Sequence, residues 1–346
     1  MLPAKGYAAP AAKTPLGPWN FERRDLGPHD VQLQILYCGV CHTDWHLLNN
    51  EWGPGQFPMV PGHEMVGRIV AVGAEARKLK VGDLAGVGVM VDSCRHCADC
   101  RDGQEQFCQV SPVQTYNSVG HDGLPTYGGY SNHNVMHEDF AHRISEKLDL
   151  AAVAPLLCAG ITTYSPLRRW RVGPGHRLAI VGLGGLGHMG VKFGVAFGAD
   201  VTVLSTSEDK REDAKVLGAH HFVVTKNPAE VATVTGAFDF ILDTVSASHD
   251  VNLYLPLLRT NGTYINVGLP LEPLQVSSFA LANGNKTVTG SGAGGLPETQ
   301  EMLDFCAEHN IVSDIELIAI QDIHPAFERM LKGEVRYRFV IDMATL

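Results

Sequence analysis

At 346 residues the chain is long enough for two domains with cores of their own. Its formal net charge of −10, with Lys+Arg 27 against Asp+Glu 37, argues against a polyanion-binding surface and so against nucleic acid as a partner. No apolar run approaches the ~20 residues that cross a bilayer, and Met1–Pro10 is Ala/Pro-rich without the charged and apolar stretches of a signal peptide, so a cytoplasmic protein with no membrane contact is expected.

Before residue 150, short β-rich stretches alternate with Gly/Pro turns. Val31–Leu36 alternates apolar and polar side chains in period two, and Gly67–Val72 follows as a second strand. Helical periodicity is scarce, so this half reads as a twisted, mainly antiparallel β domain with long loops. It carries Cys41-His42-Thr43-Asp44 and His63-Glu64. A lone Cys or His is more often a core residue than a ligand, and spacing alone does not group these.

The run Cys94, Cys97, Cys100 and Cys108 is a stronger signal, holding half of the 8 cysteines. Four thiolates this close repel one another unless a cation lies between them, and zinc takes four sulfurs in a tetrahedron at about 2.3 Å. A disulfide cluster fits poorly, because 8 Cys in 346 residues is thin for a stapled secreted chain. The bacterial iron–sulfur pattern places its fourth Cys about three residues on, before a Pro; here Cys108 is further away and Gln109 follows. A nucleic-acid-binding zinc ribbon wants basic surroundings, whereas Asp92, Asp99, Asp102 and Glu105 outnumber Arg95 and Arg101. Four protein ligands leave no open position, which marks a structural zinc.

After residue 150 comes the apolar stretch Ala151–Ile161, which includes Cys158. The rhythm then becomes strand–helix–strand. Strands are expected at Arg177–Val181, Val201–Leu204, Ala237–Leu242 and Gly262–Val267, and helices at Gly187–Phe197, Glu208–Leu217 and His249–Leu258. Such alternation predicts a parallel sheet with right-handed crossovers. Thr299–His309 reads as a further helix and Tyr337–Ile341 as a final strand.

The run Gly182-Leu183-Gly184-Gly185-Leu186-Gly187 stands between a strand and a helix. That is the dinucleotide fingerprint: glycines give the tight turn, the approach of backbone to pyrophosphate, and close helix–strand packing. An NAD site wants an acid at the end of the second strand. This chain has Ser205-Thr206-Ser207, with Lys210 and Arg211 close behind. Hydroxyls and cations suit a 2′-phosphate, hence NADP(H). Ser or Thr before Glu208 and Asp209 is also ordinary helix capping, and both roles are compatible.

Together Gly-Val-Cys41-His-Thr-Asp, Pro-Gly-His63-Glu64, the Cys94–Cys108 loop, Cys158-Ala-Gly-Ile-Thr and Gly182-Leu-Gly-Gly-Leu-Gly-His-Met-Gly resemble the zinc-containing medium-chain alcohol dehydrogenases. The likeness is to the cinnamyl-alcohol-dehydrogenase-like branch, including bacterial broad-range NADPH aldehyde reductases. It runs from about residue 30 to the end, in the family's order. The resemblance implies an α/β protein with a GroES-like catalytic domain over 1–157 and 295–346, a structural zinc lobe at about 92–110, and a Rossmann doubly wound NADP-binding domain over 158–294. It implies two zinc ions per subunit and a homodimer through the Rossmann domains.

Carried over, Cys41, His63 and Cys158 bind a catalytic zinc, with Glu64 a nearby carboxylate that enters its coordination in one state. Asp44 orients His63. Thr43 and His46 stand where the family relays a proton through the cofactor ribose. Thr244, Gly268, Ser291, Gly292 and Ala293 fall on the nicotinamide side, and Arg338 at a position linked to the cofactor phosphates or to Glu64. The implied reaction is reversible hydride transfer between NADPH and aromatic or aliphatic aldehydes at a Lewis-acid zinc.

The chain departs from the plant enzymes where Val113 replaces a pocket Trp and Gly292-Ala293 replace a Phe-Ile pair. These swaps remove bulk, which Trp52 or Trp45 could refill, and they weaken any inference that cinnamyl alcohols are the substrate. Rival readings fit less well. The zinc-free quinone reductases lack both cysteine sets, polyol dehydrogenases typically have Glu where Cys158 stands, and a non-catalytic NADP(H) sensor has no need of the relay residues.

Overall fold

The computed structural model describes residues 1–346. It separates into two compact units, Met1–Ile161 with Gly294–Leu346, and Thr162–Ala293.

The first unit is built on a mostly antiparallel sheet. Its strands run in the order Ile315–Ala319, Arg338–Asp342, Asp30–Gly39, Met65–Val72, Leu84–Val87 and His142–Arg143, with His133–His137 also pairing along Asp30–Gly39. The period-two pattern read at Val31–Leu36 has its expected effect, since Val31, Leu33 and Ile35 are all buried. The core beneath also takes Met65, Ile69, Phe140, Phe327 and Phe339, drawn from both ends of the chain. A short helix, His42–Leu48, leaves the end of the central strand. Another, Ile323–Leu331, buries Ile323, Ala326, Phe327 and Met330 on one face.

The second unit is a six-stranded parallel sheet. Its order is His221–Val224, Asp200–Ser205, Arg177–Val181, Phe238–Asp243, Leu258–Asn266 and Thr287–Gly290. Numbered along the chain that is 3-2-1-4-5-6, the order of the dinucleotide-binding Rossmann sheet. Strand 1 is bordered by strands 2 and 4, so the topology switches beside it and leaves a crevice at the carboxyl ends. The helix Gly187–Ala196 starts where expected.

The helix expected over His249–Leu258 does not form. Two short 3₁₀ turns, Val251–Leu253 and Leu255–Leu257, take its place, and Leu258 already begins a strand. Pro256 lacks the N–H that a continuing helix needs.

No single helix is long and apolar enough to cross a membrane. The apolar segment ahead of Cys158 is core, with Ala151–Leu157 buried throughout.

Candidate functional site

Three local structures bring Cys41, His63 and Cys158 together inside the first unit. Cys41 is the N-cap of His42–Leu48. His63 and Glu64 immediately precede the strand Met65–Val72, and the Gly39 N–H donates to the Glu64 carbonyl at 3.0 Å, locking the two segments side by side. Cys158 caps the 3₁₀ turn Ala154–Leu157. The Cys41 and Cys158 sulfurs lie 3.9 Å apart, and His63 Nε2 lies 3.3 Å from the Cys158 sulfur.

Two sulfurs each about 2.3 Å from one tetrahedral zinc stand about 3.8 Å apart, so the donors fit the ion. Cys41, His63, Glu64 and Cys158 each offer a ligand atom within 4.8 Å of the others. The Cys41 thiol is held well below the ordinary thiol range, chiefly by its hydrogen bond with Cys158, and that contact pushes the Cys158 thiol up. Two sulfurs that share one proton suit a cation that displaces it. The Thr43 hydroxyl sits 3.6 Å from the Cys41 sulfur.

Asp44 has no exposure and accepts from four donors. These are the Cys41 N–H at 2.9 Å, the Gly62 N–H at 3.0 Å, the Tyr116 hydroxyl at 2.8 Å and the Tyr130 hydroxyl at 3.3 Å. His63 Nδ1 approaches Asp44 Oδ1 at 3.3 Å, but it is poorly aligned and makes no formal hydrogen bond. The contact is therefore charge facing a ring edge. Burial alone would lower the His63 pKa, yet the Asp44 charge carries it well above the usual value. Tyr116 stacks on His63 with centroids 5.9 Å apart. Asp44 thus ties together both flanks of His63, a role its neighbours Tyr116 and Tyr130 complete and the sequence did not reveal.

Arg338 donates to Glu64 Oε1, both fully enclosed. Of the two positions implied for Arg338, the structure gives it the one at Glu64. Burial raises the Glu64 carboxyl to about 7 against the pull of Arg338, while Arg338 is held firmly protonated. Glu64 is therefore the member of the pair that titrates. Its other oxygen, Oε2, is buried with no partner, as a carboxylate kept for a metal would be. A Cβ on Gly39 would collide with that carboxylate, which is why glycine stands there.

His46 lies one turn after Thr43 on the same helix. Its Nδ1 bonds Glu51 Oε2 at 2.5 Å, its Nε2 is buried without a partner, and its ring stacks on Trp52 at 4.5 Å. Trp45 packs instead on Phe327. Glu51 was missed in the sequence, although its place just past the helix end was a usable signal.

The four clustered cysteines converge as their spacing predicts. Their sulfurs lie within 4.8 Å of one another, with Cys94 and Cys100 3.9 Å apart. Backbone N–H groups of Cys94 and Cys97 point at sulfurs of Cys108 and Cys94. Despite its desolvation, such donors pull the Cys108 thiol down to about 6, whereas burial lifts Cys100 to about 12. Glu105 within this lobe accepts the Leu296 N–H at 2.9 Å, fastening the loop to the start of the helix Leu296–His309.

In the second unit the cofactor candidates share one edge. Gly182 N–H donates to the Leu204 carbonyl at 2.9 Å, placing the glycine run beside Ser205. Thr244 follows Asp243, Gly268 comes two residues after Asn266 and Ser291 follows Gly290, each just past the carboxyl end of a strand. Gly182 has φ +84°, and a Cβ on Gly187 would strike the Gly182 carbonyl, so both must be glycine. A Cβ on Gly184 meets nothing within 4 Å, leaving the space a pyrophosphate needs. Lys210 Nζ reaches the Leu183 carbonyl at 3.3 Å. Arg211 is turned to other work, paired with Glu208 at 2.5 Å and Glu230 at 3.3 Å over the Phe222 ring. Thr206 and Gly292 are exposed, and Ala293 adopts φ +49°.

Val113 does not join the metal cluster. It is 1% exposed and lines a cavity whose walls include none of the candidate metal ligands. Thr115 lines the same cavity, while Tyr116 faces His63.

Residues 27–146 match the alcohol dehydrogenase GroES-like domain, and residues 185–308 match the zinc-binding dehydrogenase domain. The chain is 52% identical to the probable formaldehyde dehydrogenase AdhA of Bacillus subtilis, over 97% of this chain and 96% of that one. It is a zinc-containing alcohol dehydrogenase of the cinnamyl-alcohol-dehydrogenase-like branch.

Other members show the same reach. The aldehyde reductase YahK of Escherichia coli is 52% identical over 99% of both chains. The structure of the cinnamyl alcohol dehydrogenase of Helicobacter pylori complexed with NADP(H) superposes with a TM-score of 0.94 at 42% identity, covering 99% of each chain. Family and fold therefore agree with the expectations drawn from the motifs, and both four-residue clusters suit the metal for which the family is named.

Proposed function

We propose that this protein is an NADP(H)-linked aldehyde reductase, running reversibly as an alcohol dehydrogenase on aromatic and aliphatic substrates. The observation that carries the reading is the Cys41–His63–Cys158 cluster, with three N/S donors in contact and a partnerless Glu64 oxygen beside them. When bound there, zinc supplies a Lewis acid with one open position, and NADPH supplies the hydride. Cys41, His63 and Cys158 would hold the metal, and Asp44 faces the His63 ring edge. Glu64, restrained by Arg338, is the carboxylate that can enter the metal's coordination. Thr43 and His46 would pass the proton between substrate oxygen and solvent, with Glu51 orienting His46.

NADPH is favoured over NADH because Ser205, Thr206, Ser207 and Lys210 stand where an NAD site has an acid. Ser205→Asp should move the NADPH/NADH ratio of kcat/KM toward NADH by roughly tenfold or more, the scale of a charge placed against a phosphate. An unchanged ratio removes these residues from cofactor choice. His46→Ala should lower kcat by about tenfold or more with zinc content unaltered; a kcat that stays level across pH would take His46 out of the relay.

A homodimer through the parallel-sheet unit and a cytoplasmic setting complete the proposal. The setting fits eight cysteines that form no disulfide. The deciding experiment is an aldehyde and alcohol panel with both cofactors, run beside a zinc count. Two zinc ions per chain and NADPH-dependent reduction are expected. Turnover with NADH alone, or none in the zinc-loaded protein, would overturn the reading.

A further inference from the structure

The cavity that Val113 lines in the first unit has a volume of about 720 Å³, and none of the metal-ligand candidates lines it. One wall comes from the strand Gly17–Arg23, where alternation puts Trp19, Phe21 and Arg23 on the same side. Tyr127 completes an aromatic cluster, its ring 5.3 Å from Trp19 and 4.9 Å from Phe21, edge to face. Val91, Val135 and Met136 extend the apolar lining.

Arg23 is the anomaly in this setting. Only 7% exposed, its guanidinium has no carboxylate at ion-pair distance. Nη1 donates to the Tyr127 carbonyl at 2.8 Å, and Nη2 donates to the Gly128 carbonyl at 3.0 Å and the Ser131 hydroxyl at 2.8 Å, all of them neutral acceptors. Its Nε is buried with no partner. Burial without a counter-charge draws the group down to about 9.

The acids that also line the cavity are occupied or turned away. Asp122 lies 3.8 Å from Arg24, Asp92 lies 3.3 Å from Arg95, and Glu22 is exposed on the opposite face of the strand. An unpaired buried charge costs several kcal/mol, roughly the desolvation penalty of one ion, so a protein that keeps one in a cavity wall gains from an anion that neutralises it. The volume falls within the range of small-molecule sites.

We propose that this cavity is a binding site for an aromatic monocarboxylate. The carboxylate faces the Arg23 guanidinium from the cavity, and the ring packs against the Trp19–Phe21–Tyr127 cluster. A dianion such as phosphate fits less well, because most Arg23 donors are already engaged and Glu22, Asp92 and Asp122 stand among the other walls.

The test uses the zinc-loaded protein saturated with NADP+, titrated calorimetrically with 2-naphthoate and with the uncharged 2-naphthamide. Naphthoate should bind at least tenfold more tightly than the amide. Arg23→Gln and the cavity-filling Val135→Phe should each weaken naphthoate at least tenfold, with far-UV spectrum and zinc content as in the wild type. If Arg23→Gln does not fold, Val135→Phe decides. Equal affinity for acid and amide, no binding to the wild type, or naphthoate affinity that survives Val135→Phe would each overturn the proposal; the last would place the ligand at the zinc or cofactor site. Because the readout is binding, the result stands apart from whether aldehydes are reduced.

Discussion

Cys158→Ala should abolish turnover while leaving most of the fold in place. One of three N/S donors is lost, and the Cys41 and His63 groups that remain hold zinc weakly. A fall in kcat/KM of about 10³-fold or more is expected, which is about 4 kcal/mol of transition-state stabilisation. Metal analysis should find one zinc per chain where the parent has two, with the cysteine lobe still loaded. Full activity in the variant would mean that chemistry occurs elsewhere, and normal zinc content without activity would mean that Cys158 acts other than as a ligand.

Cys100→Ser should do the reverse. Cys100 is, with Cys108, one of the two buried members of the lobe, and serine cannot replace its thiolate in a tetrahedral site. Structural zinc binding is coupled to the folding of the loop that holds it. Without it, Cys94–Cys108 loses its ordering ion and Glu105 loses its hold on the Leu296 N–H. The thermal midpoint should drop by on the order of 5–10 °C, corresponding to a few kcal/mol in a chain this large. At low temperature, where the protein stays folded, kcat should change far less than in Cys158→Ala. Loss of kcat without loss of stability would reassign the cluster to the chemistry.

These contrasting expectations depend on features of unequal visibility in the sequence. The cysteine run was legible because its ligands are local, and the glycine run because it lies between a buried strand and a helix. Buried parallel strands such as Arg177–Val181 read clearly because both faces are covered and the run is continuously apolar. The scattered ligands Cys41, His63 and Cys158 carry no such local pattern, and only the likeness to a family gathered them. Their supports were less visible still. Tyr116 and Tyr130 reach Asp44 across 72 and 86 residues, and Arg338 reaches Glu64 across 274. A tyrosine in a loop has no periodic signature, so its partner appears only once the chain is folded.

Other misses had signals that could have been used. Pro256 warned against a continuous helix, and the i, i+3, i+4, i+7 set Ile323, Ala326, Phe327 and Met330 announced a helix that went unread. Val113 illustrates a different difficulty. Its strand is two residues long, too short a run for alternation to assign its side chains to a face.

The central strand that ends beside Cys41 is bordered by a strand from the far end of the chain, with Gly39 opposite Val340 and Cys38 opposite Ile341. During synthesis, the first 161 residues leave the ribosome long before those partners exist. The parallel-sheet unit has no such debt, since Thr162–Ala293 contains all its own strands. It can therefore close first, although its sequence comes second. The nascent N-terminal portion must wait with a bare strand edge and reactive thiols until Arg338 emerges to meet Glu64. Truncation of the last ten residues should thus yield a chain that still binds cofactor but aggregates through its unfinished sheet, an outcome that light scattering of the truncated product would reveal.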